Sequence, residues 1–315
     1  MDSQTPVTLL MPIKNGLSFL PASQQSILEN ARAFDEIVIV DDGSTDGSYD
    51  FCHLWTLQDS RVRLIRNRDG SLVSALNLGI AESTNDYIAR FDVDDTYLPT
   101  RIEKQITSIN ANEVAIFSDY EMLDKYSQYL SIFPSAIFSH AVSVSLIKSQ
   151  RTAHPSVLFN KKAVQAVGGY QEEDYLVEDL SLWLRLTRVG QLASVPEVLL
   201  KYRFNPQGVS VRNRDLMIGQ RELLMNRVGI CKLDLEKSLA EIDSTLGKYK
   251  SFNYSEMRIL LHLMDLKSAL EVNGKSISSL HLKVLTGLLN YSNCKAGAQL
   301  IRERRNRNKM RQSLT

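Results

Sequence analysis

No apolar run in this chain approaches the roughly 20 residues that span a bilayer, and the opening Met1-Asp2-Ser3-Gln4-Thr5-Pro6 lacks the charged start and apolar middle of a secretory signal. A cytoplasmic protein is expected, soluble or held peripherally on the inner face of the membrane. Cysteine is scarce. Cys52, Cys231 and Cys294 are odd in number, widely spaced and without a Cys-x-x-Cys pair, so they read as reduced thiols and not as a disulfide framework. Charge of one sign is missing too: 37 Lys and Arg against 36 Asp and Glu leave a formal net charge of +1, which gives no global case for a nucleic-acid partner. Glycine is absent where a dinucleotide-binding chain needs it. Val7-Thr8-Leu9-Leu10-Met11 reads as a first strand, yet Pro12-Ile13-Lys14-Asn15-Gly16 follows, with no Gly-x-Gly-x-x-Gly and no Walker motif. Phosphate is therefore not held by a glycine loop. Internal repeats and low-complexity segments are also lacking.

What is present is acid at the ends of strands. Phe91-Asp92-Val93-Asp94-Asp95 follows the apolar Tyr87-Ile88-Ala89 and puts three carboxylates into four residues. They repel one another, so their clustering where a strand meets a loop calls for a cation or a donor-rich ligand, with a divalent metal first. Two other readings exist. The acids could open the helix after Leu98-Pro99, where carboxylates favour the dipole. Asp92, Asp94 and Glu103 also match three positions of a calcium loop, but Tyr97 stands where that loop needs glycine and a strand precedes it. A second acidic turn, Asp41-Asp42-Gly43-Ser44-Thr45-Asp46-Gly47-Ser48, follows the β-branched run Glu36-Ile37-Val38-Ile39-Val40. Such a run suits a strand buried on both faces, and ligands of parallel α/β sheets bind beyond the carboxyl ends of strands.

Strand-like runs at 7–11, 36–40, 62–65, 87–91 and 114–117 alternate with helical stretches near 17–33, 46–58, 71–83 and 99–110, the pattern of βαβ units. With 315 residues at 43% hydrophobic content, one large core and a smaller appendage are affordable. After about residue 211 the character changes. Asn253 and Glu256 open a helical pattern that Asn273-Gly274 closes, so 212–315 reads as a helical appendage. Its end carries Arg302, Arg304, Arg305, Arg307, Lys309 and Arg311 against the single acid Glu303. That run is either a solvated tail or a contact for anionic lipid, at about 1 kcal/mol per basic residue near the surface.

Taken in order, these residues resemble a family. Met11-Pro12 and Asn15, Val40-Asp41-Asp42-Gly43-Ser44-Thr45-Asp46, Asn67 to Gly70 with Leu76-Asn77-Leu78-Gly79-Ile80, and Asp92-Val93-Asp94-Asp95 are similar to the family 2 glycosyltransferases of the GT-A fold. The likeness continues through His154-Pro155-Ser156, Gly168-Gly169-Tyr170, Glu178-Asp179 with Leu182-Trp183-Leu184-Arg185, and Pro196 with Val198 to Arg203. It covers about residues 5 to 211. The resemblance implies an α/β fold, a Rossmann-like, mixed, mainly parallel sheet flanked by helices, with the C-terminal helical appendage added. It implies a catalytic domain over 1–211, divided into a nucleotide-binding half, 1–117, and an acceptor-side half, 118–211.

Roles follow from the resemblance residue by residue. Asp42 is implied to accept from the uracil or ribose of a nucleotide sugar, with Pro12 beside the base and Asn15 and Asn77 on the same nucleotide-sugar side. Asp92 is implied in contacts to ribose or donor sugar, Asp94 as the direct ligand of Mn2+ or Mg2+, and Asp95 as its support. Asp179 is implied as the general base of an inverting, metal-dependent transfer, with Glu178, His154 and Gly169 lining the acceptor or donor pocket. Read from the residues alone, Glu178 and Asp179 could cap a helix packed through Trp183, His154 could be a hydrogen-bonded structural residue, and Gly168-Gly169 a helix stop. Two positions depart from the family. Lys14 stands where relatives often have an aromatic, and Asn205 where many have histidine. The expected partners are a nucleotide-sugar donor, a UDP-sugar, and a carbohydrate or lipid-linked acceptor in cell-surface polysaccharide or lipopolysaccharide assembly. The alternatives are a non-catalytic nucleotide-sugar or metal-binding module, which those departures keep open, and a nucleotidyltransferase, against which the first-strand loop lacks a glycine- and arginine-rich phosphate segment.

Overall fold

Strand β1 (Val7–Ile13) is buried at every position, as is β2 (Glu36–Asp41), because helices cover both faces of the sheet around them. Successive side chains alternate between two cores. Leu10, Val38, Val40 and Ile88 join one cluster, whereas Leu9, Met11, Ile37, Ile39 and Ala89 join the other. Each such aliphatic side chain contributes roughly 1.5–3 kcal/mol on burial. The protein is seen in a computed structural model that describes residues 5–30, 34–124, 126–133, 135, 152–206 and 208–228.

The remaining expected strands are β3 (Val62–Arg66), β4 (Tyr87–Arg90) and β6 (Glu113–Leu123). The expected helices are α1 (Leu20–Leu28), α2 (Ser48–Gln58), α3 (Leu72–Glu82) and α4 (Arg101–Thr107). Helix α1 is shorter than the pattern predicts because Asn30 turns its amide back onto the Ser26 carbonyl, at 2.9 Å, and ends it. Strand β8 (Leu158–Asn160) falls on the strand-like run Ser156-Val157-Leu158-Phe159, whereas three strands were not expected as such: β5 (Thr96–Tyr97), β7 (Tyr129–Phe133) and β9 (Gln191–Arg203). Helices α5 (Lys161–Ala166), α6 (Glu178–Leu186), α7 (Val209–Arg212) and α8 (Arg214–Val228) complete the described chain. The helical pattern from Asn253, the basic run after Arg302, Cys231 and Cys294 lie outside the described residues.

Among the described residues one sheet contains all nine strands, ordered β3-β2-β1-β4-β8-β6-β9-β5 with β7 beside β6. The first four are parallel, β8 runs antiparallel between β4 and β6, and β9 returns parallel to β6. The order reverses between β1 and β4, which makes the crevice beyond their carboxyl ends a topological switch point. Strand β6 crosses the point between 117 and 118 without a break, so the sheet is continuous through both halves of the chain. Pro196 is accommodated in β9 where the register with β6 slips between Ser118 and Asp119, because a residue without an N–H fits at a bulge. Past that bulge β9 continues to Arg203 and brings its end beside the loop after β4.

Under that loop lies Arg101, fully buried. Its Nη2 donates to the carbonyls of Arg90 and Val157, both at 3.1 Å, its Nε donates to Gln105 Oε1 at 3.0 Å, and the guanidinium stands over the rings of Phe91 and Tyr97. Burial pulls its pKa down to about 10, which still leaves it charged at neutral pH. Replacing it as Arg101→Met removes two bonds from a charged donor to buried carbonyls and is expected to cost about 3 kcal/mol or more. Urea unfolding measures this, and a midpoint equal to wild type contradicts it.

Candidate active site

The loops after β1 and β4 meet at the switch point. A Cβ on Gly16 would lie 2.8 Å from Val93 Cγ1, so glycine is what allows the two loops to touch. Asn15 has a φ of 53° and braces the loop after β2. Its Oδ1 accepts from the Thr45 N–H at 2.8 Å, while its own N–H donates to Ser44 Oγ at 3.0 Å. Pro12 is buried in β1. Asp42, 6% exposed, accepts from Asn67 Nδ2 at 2.6 Å and from Lys14 Nζ at 3.0 Å. Lys14 is mostly exposed, so this pair contributes little to stability and its ammonium is free to turn towards a ligand. Nearby Cys52 is buried, and burial with the charge of Asp41 pushes its thiol up to about 12, so it is inert as a nucleophile.

Asp92, Asp94 and Asp95 lie where β4 ends, with one carboxylate oxygen from each within 4.8 Å of the others. Arg90, on the last residue of β4 and almost fully buried, donates to Asp92 Oδ2 at 2.5 Å. Arg203 at the end of β9 holds the loop by its backbone N–H to Asp95 Oδ1, 2.8 Å, and its Nε to the Asp94 carbonyl, 3.0 Å. Asn205 hydrogen-bonds the Asp94 side chain, which opposes, without cancelling, the upward pull on that acid. Burial, then the charge of Asp92, raises Asp94 to about 6. Asp95 is raised well above the usual carboxylate range by burial and by its two neighbours, and its Oδ2 is buried without a hydrogen-bond partner. Buried oxygen donors with uncompensated charge are what a hard divalent cation requires, so these residues fit such an ion.

The residues expected on the acceptor side gather around Tyr170. Gly168 and Gly169 carry φ of 85° and 65° and end α5, with the Gly169 N–H on the Val164 carbonyl at 2.9 Å, so the helix stop is real. A Cβ on Gly169 would meet Asn77 Oδ1 at 2.6 Å. That close approach lets Asn77 bind both backbone groups of Tyr170, accepting from its N–H at 2.9 Å and donating to its carbonyl at 2.8 Å. His154 Nε2 lies 2.7 Å from the Tyr170 hydroxyl, and burial and the charge of Arg90 hold the imidazole well below its usual pKa, hence neutral. The chain then turns sharply through Leu176, whose φ of 77° is strained for a branched side chain, into Glu178 and Asp179. Both lie in the first turn of α6 rather than at its cap, which is Val177 and makes no side-chain bond. Asp179 Oδ1 accepts from the Leu180 N–H at 2.6 Å. Glu178 is pushed up to about 7 by burial and by Asp179, and its Oε2 has no hydrogen-bond partner.

Arg90, Arg101 and Arg203 escaped the sequence reading as site residues. A cation on the otherwise apolar run Tyr87-Ile88-Ala89, two residues before three acids, was the signal for Arg90. Arg203 belongs to the run from Val198 quoted for the resemblance, but its partner Asp94 lies 109 positions away, which no local pattern reveals.

This architecture is a GT-A fold. Two solved structures share it: residues 1–349 of S. aureus TarS, solved with UDP-GlcNAc, at TM-score 0.59, 12% identity and 98% and 92% coverage of this and that chain, and the mannosyltransferase PcManGT from Pyrobaculum calidifontis, solved with GDP-Man and Mn2+, at TM-score 0.57, 15% identity and 97% and 86% coverage. The family model described as Glycosyl transferase family 2 matches residues 8–140. The amylovoran biosynthesis glycosyltransferase AmsE of Erwinia amylovora is 30% identical over 193 residues, 60% of this chain and 71% of AmsE. The protein belongs to glycosyltransferase family 2. It spans about a third of the length of the first curated relatives it matches. Among the described residues no helix is long and apolar enough to cross a membrane.

A raised acid in the folded state has a definite consequence for stability. Glu178 contributes its full share below its unfolded pKa near 4.5 and loses it as pH rises through about 7. Glu178→Gln removes that titration, so the variant's melting temperature should climb relative to wild type between about pH 5 and pH 8, by up to a few kcal/mol in stability terms. Melting curves across that range test it; a difference that stays constant with pH overturns it.

Proposed function

We propose that this protein transfers a sugar from a nucleotide-sugar donor, a UDP-sugar, to an acceptor hydroxyl with inversion at the anomeric carbon, using Mn2+ or Mg2+. The observation that carries this reading is the acid cluster at the carboxyl end of β4, with Asp95 Oδ2 buried and unpartnered at the sheet's switch point. Support for a sugar-nucleotide donor comes from TarS and PcManGT, solved with UDP-GlcNAc and with GDP-Man and Mn2+. Support for cell-surface polysaccharide or lipopolysaccharide assembly comes from AmsE, which is named for amylovoran biosynthesis. The catalytic domain is taken as 1–211, with a nucleotide half to 117 and an acceptor half beyond it, and 212–315 as its appendage.

Asp42 receives hydrogen bonds from the base or ribose, with Pro12 beside the base and Lys14 able to turn from Asp42 to the ligand. Asn15 and Asn77 act through the backbone they brace. Asp94 would ligate the metal directly with Asp95 as its support, Asn205 hydrogen-bonds Asp94, and Asp92 would face ribose or donor sugar. A bound divalent ion supplies neutralisation of the diphosphate as it leaves. Asp179 takes the proton of the acceptor hydroxyl while the acceptor oxygen bonds to the anomeric carbon. The bond from that carbon to the diphosphate oxygen breaks, and its electron pair departs with the diphosphate. His154, Gly169 and Glu178 line the pocket, and neutral His154 leaves the proton to the carboxylate.

Asp94→Asn should abolish the Mn2+-dependent rise in melting temperature that UDP produces, reduce UDP release from the donor by orders of magnitude, and leave the fold intact. Full activity of wild type in a chelator would refute the metal role. Asp179→Asn keeps size and shape but removes basicity, so calorimetry should find UDP affinity within a few-fold of wild type while transfer is lost; near-normal transfer would remove Asp179 as the base. The basic run from Arg302 to Arg311 is taken as a contact for an anionic membrane surface, in keeping with a lipid-linked acceptor. Deleting 302–315 should weaken co-sedimentation with anionic vesicles, with a difference that shrinks as salt rises. Equal sedimentation at low salt would leave the run a solvated tail.

A further inference from the structure

The turn that delivers Glu178 and Asp179 is gripped by one buried carboxylate. Asp174, 3% exposed, ends the short 3-10 turn Glu172–Asp174, and both of its carboxylate oxygens are engaged: Oδ2 accepts from the Ser181 hydroxyl of α6, and Oδ1 from Arg227 Nη2 at the end of α8. Its backbone holds the same stretch. The Asp174 carbonyl accepts from the Val177 N–H at 2.8 Å, and the Val177 carbonyl accepts from the Ser181 N–H at 2.9 Å, so these bonds close a loop that contains strained Leu176 and both acids. Helix α8 reaches this point by burying one face. Met217 and Leu224 pack on the cluster that contains Tyr170, Leu180 and Trp183, and Arg227, three residues beyond Leu224, lies on the same side, while Leu216 and Leu223 are exposed. The other flank of the turn is pinned from α3. Ser71, which caps that helix, donates to Glu172 Oε1 at 2.5 Å, and Asn77 clamps Tyr170.

Accepting Asp179 as the base, we propose that Asp174 is a positioning residue for it, held by Ser181 and Arg227, so that the catalytic unit extends through α8. A desolvated carboxylate persists when its partners are fixed, and here one partner sits on the helix that carries Asp179 while the other lies beyond residue 211. The left-handed backbone at Leu176 favours relaxation of the turn, and the bonds of Asp174 oppose it. Placement of the base decides the rate. It must lie within hydrogen-bond reach of the proton it takes, and a shift of about 1 Å costs on the order of 10²-fold. Asp174, Ser181 and Arg227 exert this control without touching substrate.

Hydrogen exchange of the full chain tests the clamp without a ligand. Arg227→Gln and Ser181→Ala each remove a bond to a buried carboxylate, so amides of residues 175–186 should exchange about tenfold or more faster than in wild type, while those of β1 and β2 stay within about two-fold. Arg227→Lys keeps the charge and a donor and should restore most of the protection. In an Asp174→Asn background Arg227→Gln should add little further acceleration, because the ion pair is already gone. Calorimetry of Arg227→Gln with UDP and Mn2+ should find an affinity within about two-fold of wild type. With UDP-glucose, UDP-galactose or UDP-GlcNAc, whichever wild type turns over, kcat for UDP release should fall about tenfold or more while KM for that donor is little changed. Exchange equal to wild type in 175–186, acceleration spread evenly along the chain, or an unaltered kcat would each overturn the proposal. Should Arg227→Gln fail to fold, Ser181→Ala carries the same expectations. A wild type that turns over none of the three sugars removes the donor assignment, and exchange then decides the clamp by itself.

Discussion

Three carboxylates confined within 4.8 Å at the end of β4 are the constraint on which the rest of the site depends. Two unit charges 4 Å apart repel by about 4 kcal/mol at an effective dielectric near 20, against a total stability of roughly 5–15 kcal/mol for a domain. The chain cannot bear several such repulsions uncompensated. It answers with Arg90 against Asp92, with the Arg203 N–H against Asp95, and with Asp94 raised to about 6. What remains, an unpartnered buried oxygen on Asp95, is the opening for a cation. Beneath the loop, Arg101 fixes the carbonyls of Arg90 and Val157, so the strand ends that carry these charges stay in place.

The same tension recurs across the crevice. Glu178 and Asp179 are adjacent, buried and like-charged, and they follow a strained Leu176. Strain and buried charge both cost free energy, and both persist only where the surroundings over-determine them. The surroundings are identifiable: Tyr170 clamped by Asn77, α6 packed through Trp183, and α8 docked through Leu224 and Arg227. Arg90 joins the two acidic groups electrically, since it pairs with Asp92 and also acts on His154 and Glu178.

The parallel strands and the helices between them were legible because burial on both faces writes a continuous β-branched run, and amphipathic helices write a period near 3.6. Strand β5 is two residues long, too short for any period to register, whereas β8 falls on the strand-like run Ser156-Val157-Leu158-Phe159. Strand β9 carries Pro196, which argues locally against a strand and is tolerated only because β6 slips register beside it. The helix stop read at Gly168-Gly169 is present, and a Cβ on Gly169 would lie 2.6 Å from Asn77 Oδ1, so packing there calls for glycine. For Glu178 and Asp179 the capping alternative does not hold, since the helix begins at Glu178 without a side-chain cap.

By itself the sequence determined the class of fold, the order of its motifs, and the acids that end β2 and β4, because each is encoded in contiguous residues whose spacing carries the signal. Only the tertiary structure decided which groups meet the acids that end β4, Arg203 from 109 positions away and Asn205 beside Asp94, and that Asn77 locks Tyr170 across 93 positions. Such pairings depend on the register of β6 with β9 and on how the helices pack on the sheet. No local propensity contains that information, because the energy that sets it comes from packing between segments far apart in the chain.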